Sequence, residues 1–413
     1  MIKYFTDIDE LLTLKKIARK SGRKVVDKDL SIIKKAAILT SAGKIIWVGK
    51  NSNLSSNIFK KLNINPKNIK KISLNNSVVM PGFIECHTHS VFAGDRQSEF
   101  EMRNKGKTYQ QIANSGGGII STVKSTRKAS SDQLLVDLKK RVKAFKKQGV
   151  TALEVKTGYG LDFKTEYKVL KLLKKIKSLK IISTYLGPHA IPKEFKSAQA
   201  YMDCIIGQVL PKLASENLLF RADIFIEKGY FNKELALKYF NELKKYNICL
   251  TAHIDQLTCS GLVSELCSNV NIKSLDHLVQ VDNKGIKALG LSDITSVLLP
   301  TADFYLKMKY PPARRLIDAG ARVALATDFN PGSSPSQDLS FVGVLARLEM
   351  KMTLAEVISA YTIGAAHALG LEQQMGSIEV GKQANFICLD DHHDQLFYNV
   401  GYHPIRKTIF SGT

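Results

Sequence analysis

Two histidines separated by a threonine, His87-Thr88-His89, close the apolar run Phe83–His89. Residues i and i+2 of a strand project to the same side, so both imidazoles can face one ion. Three further residues of ligand type, His253, His277 and Asp328, stand where other β-type runs end. Up to three imidazoles and a carboxylate suit Zn2+ or Fe2+ and leave a coordination position for water. Such an ion lowers the pKa of its water towards about 7, so the chemistry in prospect is metal-assisted hydrolysis. An isolated HxH carries little weight; the convergence of independent residues at equivalent strand ends carries the reading.

That convergence requires a scaffold. Eight candidate strands alternate with amphipathic segments: Phe83–His89, Val150–Lys156, Ile181–His189, Ala222–Lys228, Ile248–Ile254, Ser274–Leu278, Ser296–Thr301 and Val323–Asp328. This α/β pattern predicts a (β/α)8 TIM-like barrel, whose active site lies at the C-terminal strand ends. Leu134, Leu135, Leu138, Val142 and Phe145 share one helical face, with Gly149 placed to end that helix. The stretch from Ser90 to Gly149 is too long for one crossover and predicts extra helices. Strand pairs are expected at Lys35–Val48 and at Gly376–Leu389, the latter around Gly381-Lys382. Residues 1–80 and 376–413 should therefore form one composite β-sandwich domain, and 81–375 the barrel.

Other features read more plainly. His392-His393, within Asp390–Asp394, has the look of a metal tract but reads as an exposed turn near the end of the sequence. Gly116-Gly117-Gly118 lacks the strand–helix context of a phosphate loop. His367 falls in an apolar helical run and reads as a helix residue, and Lys156 as solvated or salt-bridged. Six cysteines without a CxxC pair suggest reduced thiols in a cytoplasmic protein. The formal net charge is +23, but the lysines are scattered along helix faces and no nucleic-acid motif accompanies them. Acids occupy the place of a signal peptide's apolar core, and no apolar run is long enough to span a bilayer.

The segments PGFIECHTHSVFAGDR, EVKTGYG, YLGPHAIP, DIFIEKGYF, TAHIDQL, SLDHL and ATDFNPGSSP follow one another in the order found in imidazolonepropionases. The chain resembles these amidohydrolase-superfamily enzymes of histidine degradation over nearly its whole length, including the closing GSIEVGKQANFICLD. The resemblance implies hydrolysis of 4-imidazolone-5-propanoate to N-formimidoyl-L-glutamate. It implies His87, His89, His253 and Asp328 as ligands of one Zn2+ or Fe2+/Fe3+ per chain, with His277 as a catalytic residue beside them. It places Arg96, Tyr109 and Tyr159 on the propanoate side of an anionic small-molecule substrate. His189, Gln256, Asn330, Gly332 and Ser333 fall around the ring or product. A homodimer is implied by the family alone.

One position departs from the superfamily pattern. Many relatives carry a glutamate three residues after the strand-5 histidine as a proton shuttle, where this chain has Gln256. A carboxamide donates and accepts hydrogen bonds but does not take a proton at neutral pH. The shuttle then falls to Asp328, to His277 or, last, to Asp255, which points away from Gln256 if the strand continues. Rival readings are another cyclic amidohydrolase or deaminase, with Glu227 or a carbamylated Lys228 bridging two ions, and a catalytically silent barrel.

Overall fold

The computed structural model describes residues 1–107, 111, 117–268 and 272–411. Four strands open the chain: β1 (Ile2–Leu12), β2 (Ile32–Ser41), β3 (Lys44–Lys50) and β4 (Ile69–Pro81). Then follow β5 (Phe83–Glu85), β6 (Val150–Lys156), β7 (Lys180–Thr184), β8 (Arg221–Ala222), β9 (Phe225–Ile226) and β10 (Cys249–Ile254). Next come β11 (Ile272–His277), β12 (Thr295–Leu298), β13 (Arg322–Leu325), β14 (Phe386–Leu389) and β15 (Ile405–Ile409).

Strands β5 to β7 form one parallel sheet, and β8 to β13 another in which β8 and β9 both pair with β10. Parallel bridges Tyr185–Ala222 and Thr88–Phe329 join the two sheets at both edges. Among the described residues the ring thus has eight strand positions, the expected barrel. Several expected strands are shorter than their apolar runs because side chains take over the backbone hydrogen bonds at the functional end. Glu85 accepts the His87 N–H at 3.1 Å, and Glu154 accepts the Thr88 N–H at 3.1 Å. Ala222–Lys228 is broken at Asp223, whose carboxylate accepts the Ile224 N–H at 2.7 Å and the His253 N–H at 3.2 Å.

The helix Ser131–Lys147 shows how the outer layer is specified. Ser130 caps it by accepting the Gln133 N–H, and Leu134, Leu138, Val142 and Phe145 are buried on its inner face. Gly149 then adopts φ +81°, and a Cβ there would stand 2.9 Å from both Ile387 Cγ2 and Ile405 Cδ1. The glycine thus serves the turn and lets the terminal domain pack close. The inserted segment after β5 carries the helices Gln97–Asn104 and Ile119–Lys128, besides Ser131–Lys147.

Both ends of the chain build one hydrogen-bonded sheet in the order β15-β14-β4-β1-β2-β3, six strands among the described residues. Its core holds Phe5, Ile38, Val79 and Phe386. Between β1 and β2 the chain leaves this sheet and buries Leu14, Ile17, Val25 and Leu30 in the main hydrophobic core. The expected strand pair at Gly376–Leu389 is corrected: only Phe386–Leu389 is a strand, and its partners are β4 and β15. The residues before it form no named strand but are fastened by the Ile378 N–H to Thr13 O bond and by an isolated antiparallel bridge of Gln383 with Lys44, flanked by the Gly381 N–H to Ile45 O and Ala384 N–H to Gly43 O bonds. No helix among the described residues is long and apolar enough to cross a membrane.

Candidate active site

Five side chains meet at the C-terminal ends of β5, β10, β11 and β13. His87 Nε2 stands 3.4 Å from Asp328 Oδ1, and His89 Nε2 stands 3.3 Å from the same oxygen. His253 Nε2 lies 3.3 Å from His89 Nε2. The ring of His277 is 5.3 Å from that of His253, centroid to centroid. His87, His89 and Asp328 form one trio of converging ligand atoms, and His87, His253 and His277 another. His87 Nε2, Asp328 Oδ1 and His277 Nδ1 are buried with no hydrogen-bond partner. Buried polar atoms are seldom left so, and here the donor set is one that binds Zn2+ or Fe2+. The residues fit a divalent ion.

The electrostatics agree. Burial and the nearby Lys156 disfavour a charged His87, yet the hydrogen bond with Asp276 and the adjacent Asp328 carboxylate raise its pKa to about 9. The surroundings thus favour positive charge at this imidazole. Burial also opposes ionisation of Asp328, but His87 and His89 hold its carboxyl well below the usual range. Burial keeps His89 neutral, with a pKa lowered to about 4, and pushes His277 and His189 well below the ordinary imidazole value.

A layer of buried acids fixes the ligands from behind. Asp276 Oδ2 is 2.7 Å from His87 Nδ1, and Asp223 Oδ2 is 3.0 Å from His253 Nδ1. Each carboxylate holds the rear nitrogen of a ring and leaves Nε2 facing the cluster. Lys156 Nζ lies 2.9 Å from Glu154 Oε1, 2.8 Å from Asp223 Oδ2 and 3.6 Å from Asp276 Oδ2. Lys156 is 1% exposed, so the salt-bridged reading of it holds and the solvated one does not. Glu85 supports the other side by accepting the Thr327 N–H at 3.1 Å. Asp223, Asp276, Glu85 and Glu154 escape a reading for ligand types alone. Their signal is an acid inside an apolar strand, most plainly Asp276 directly before His277.

Backbone conformation aims two of the key groups. His277 has φ +78° and Asp328 has φ +52°, in the left-handed region. Such conformations cost about 1–3 kcal/mol each and persist where surrounding bonds impose them. The Asp328 N–H donates to His87 O at 3.1 Å, which ties the last barrel strand to the first.

A cavity of about 380 Å3 opens above the cluster. Arg96, Tyr159, His189, Gln256, Asn330 and Ser333 line it together with His89, His253, His277 and Asp328. Ile119, Phe225, Leu306 and Met308 supply apolar wall. The volume and lining suit one small polar molecule. Arg96 is held by Glu99, with Nε 2.8 Å from Oε2, while the other Glu99 oxygen accepts the Gly118 N–H at 2.9 Å. His189 Nδ1 is 2.9 Å from Gly158 O, and a carbonyl can only accept, so Nδ1 carries the proton. Its Nε2 is therefore left as an acceptor.

Gly332 and Asn330 act differently from neighbours that contribute side-chain groups. A Cβ at Gly332 would fall 1.9 Å from Arg96 Nη1, so only glycine lets the guanidinium lie there. Asn330 Oδ1 accepts the N–H groups of Gly332 and Ser333, each at 2.8 Å, and its Nδ2 donates to Asp328 O at 2.7 Å. It braces the turn that carries Asp328. Tyr109 and Gly116 lie outside the described residues. The strand of His253 ends at Ile254, and Asp255 turns at φ +55° to accept the Ser260 N–H at 2.7 Å. Glu227 is spent on the Leu257 and Thr258 N–H groups, at 2.9 and 3.2 Å, and Lys228 is exposed. Neither is placed as a bridge between two ions.

The family model described as "Amidohydrolase family" matches residues 78–413. An imidazolonepropionase of Bdellovibrio bacteriovorus is 47% identical over 98% of this chain and 94% of its own. The chain belongs to the imidazolonepropionase family. A second member, from Shouchella clausii, is 36% identical over 99% of this chain and 92% of its own. Among solved structures, a guanine deaminase from C. acetobutylicum superposes with a TM-score of 0.72 at 18% identity, over 100% of this chain and 99% of that one. A zinc-bound adenosine deaminase from Xanthomonas campestris gives 0.70 at 16% identity, over 99% and 92%. At that identity the two deaminases speak for the fold alone. The family assignment and the His/Asp cluster together make this a metal-dependent hydrolase of amidohydrolase architecture.

Proposed function

We propose that this chain hydrolyses the ring amide of 4-imidazolone-5-propanoate to N-formimidoyl-L-glutamate, a step of histidine degradation. The carrying observation is a converging His/Asp cluster, with His87 Nε2 and Asp328 Oδ1 lacking hydrogen-bond partners, at the floor of a cavity that also presents a buried arginine. The centre takes one ion, Zn2+ or iron, held by His87, His89, His253 and Asp328. When bound, that ion supplies Lewis acidity and a water that ionises near neutral pH.

The protein's own groups account for the remaining steps. Arg96 offers a planar fork to the propanoate carboxylate, and Tyr159 adds a hydroxyl on that side. The neutral Nε2 of His189 accepts from a ring N–H, and Gln256 orients the ring with its amide. Asp328 takes a proton from the attacking water. The water oxygen bonds the ring carbonyl carbon while His277 donates to the carbonyl oxygen as negative charge grows there. The amide C–N bond then breaks, and the proton held by Asp328 passes to the leaving nitrogen. With Gln256 unable to shuttle protons, Asp328 and His277 suffice.

The direct test is to incubate metal-replete protein with imidazolone propanoate and follow formation of formiminoglutamate. Intact substrate after incubation with fully loaded protein would refute the assignment. Hydrolysis of other cyclic amides at comparable kcat/KM would place the chain elsewhere in the superfamily.

A further inference from the structure

A second group of ligand-type side chains lies in the terminal domain, built from opposite ends of the sequence. Glu10 sits on β1 with only 3% exposure. Its Oε1 is paired with Lys34, its register partner on β2. Its Oε2 faces two imidazoles, 3.2 Å from His392 Nε2 and 3.4 Å from His393 Nδ1. Neither contact has hydrogen-bond geometry, and both Glu10 Oε2 and His393 Nδ1 are buried without a hydrogen-bond partner. The exposed turn read from sequence is half correct: His392 is exposed, whereas His393 is 7% exposed and packed against Glu10.

We propose that Glu10, His392 and His393 form a second divalent-cation site, of the Zn2+ class, that fastens the C-terminal segment to β1.

Two features carry it. The three ligand atoms lie within 4.8 Å of one another. Donors about 2.0–2.1 Å from a tetrahedral ion stand about 3.3 Å apart, and the two Glu10 contacts, at 3.2 and 3.4 Å, bracket that spacing. Next, the far nitrogens of both rings meet one carboxylate. Asp394 Oδ2 is 2.9 Å from His392 Nδ1, and Asp394 Oδ1 is 3.4 Å from His393 Nε2. The Asp394 N–H also donates to His392 Nδ1 at 3.5 Å, and a carboxylate so placed can orient metal-bound imidazoles once their far nitrogens carry the proton. Lys34 pairs with Glu10 Oε1 and leaves Oε2 unoccupied. The exposed side of His392 leaves room for water to complete the coordination.

The experiment titrates Zn2+ into full-length enzyme whose catalytic centre is already loaded, with calorimetry and metal analysis as readouts. Wild type should take up a second equivalent at micromolar free Zn2+. His392→Ala should abolish that uptake, and Asp394→Asn should weaken it about tenfold or more. Both variants should keep the first ion and the hydrolytic rate. His253→Ala should show the reverse, losing the catalytic ion and keeping the terminal one. Hydrogen exchange over residues 390–411 should slow on Zn2+ addition in wild type and not in His392→Ala. Uptake of a single equivalent by wild type, or an unaltered second equivalent in both His392→Ala and His393→Ala, overturns the proposal. Exchange indifferent to Zn2+ overturns the fastening role.

Discussion

Lys156 Nζ stands 2.8 Å from Asp223 Oδ2, and the same oxygen stands 3.0 Å from His253 Nδ1. One buried ammonium thus sets the carboxylate that sets an imidazole of the candidate centre. Lys156→Met should leave Glu154, Asp223 and Asp276 buried without their common counter-charge, at a cost of about 3–5 kcal/mol. Its metal affinity should fall about 10–100-fold through misorientation of His253 and His87. Denaturant unfolding and metal analysis measure the two effects, and a stable variant with wild-type affinity would show that the network does not position the ligands.

His253→Ala should lose most of the catalytic ion and the activity together, because the ring is part of the cluster and not merely beside it. Metal analysis after dialysis checks this. Full occupancy with lost activity would move His253 from ligand to substrate contact.

Arg96 and Gly332 should behave as one unit. Gly332→Ala places a methyl group where Arg96 Nη1 lies, 1.9 Å away, so the guanidinium must shift. Both Gly332→Ala and Arg96→Lys should raise KM, by an amount equivalent to about 1.5–3 kcal/mol for a charged hydrogen bond, with metal content unchanged. The penalty should vanish for a substrate analogue lacking the carboxylate. An equal penalty on that analogue would remove Arg96 from the propanoate subsite.

Gln256→Ala should cost about 1–3 kcal/mol and keep the acid limb of the pH–rate profile. Gln256→Glu should stay within about tenfold of wild type, roughly 1.4 kcal/mol in barrier. His277→Ala should cost far more, since it would remove the proposed donor to the developing oxyanion. Steady-state kinetics on metal-loaded variants decide; equal losses in Gln256→Ala and His277→Ala would assign the amide to the chemical step.

His367 gives a pH dependence of stability independent of the site. It lies half-buried on the helix Ala365–Leu369, and burial, reinforced by Arg322, lowers its pKa from 6.5 to about 3. The folded state therefore binds this proton more weakly than the unfolded chain. Its contribution is complete above about pH 6.5 and is lost as pH falls towards 3, at no more than about 1.4 kcal/mol per pH unit. Between about pH 7.5 and pH 5, wild type should lose more thermal stability than His367→Gln. Equal losses would mean that His367 titrates normally.

The barrel is legible in the sequence wherever a strand is buried on both faces. Val150–Lys156 is read from its apolar run and is β6 residue for residue. The functional strand ends are less legible, because backbone N–H groups there bond to side chains such as Glu85 and Glu154 instead of to a neighbouring strand. His87, His89, His253, His277 and Asp328 are legible because ligand types at equivalent strand ends coincide. Asp223 and Asp276 are not, since an acid in a strand declares its partner only once the ring has closed. Glu10 and His392 are farther still from a linear reading, lying at opposite ends of the chain.

The bridge between Thr88 and Phe329 has a consequence for how the molecule comes into being. It is the seam at which the first barrel strand meets the last, and His87, His89 and Asp328 flank it. The Thr327 N–H reaches Glu85 across 242 positions of sequence, so during synthesis the histidine pair must wait for nearly the whole barrel before its carboxylate arrives. Contacts of such long separation form late. An ion held there by the proposed ligands would bind only a completed ring and would latch its closure. A nascent or C-terminally shortened chain would carry both histidines and still have no centre in which to hold it.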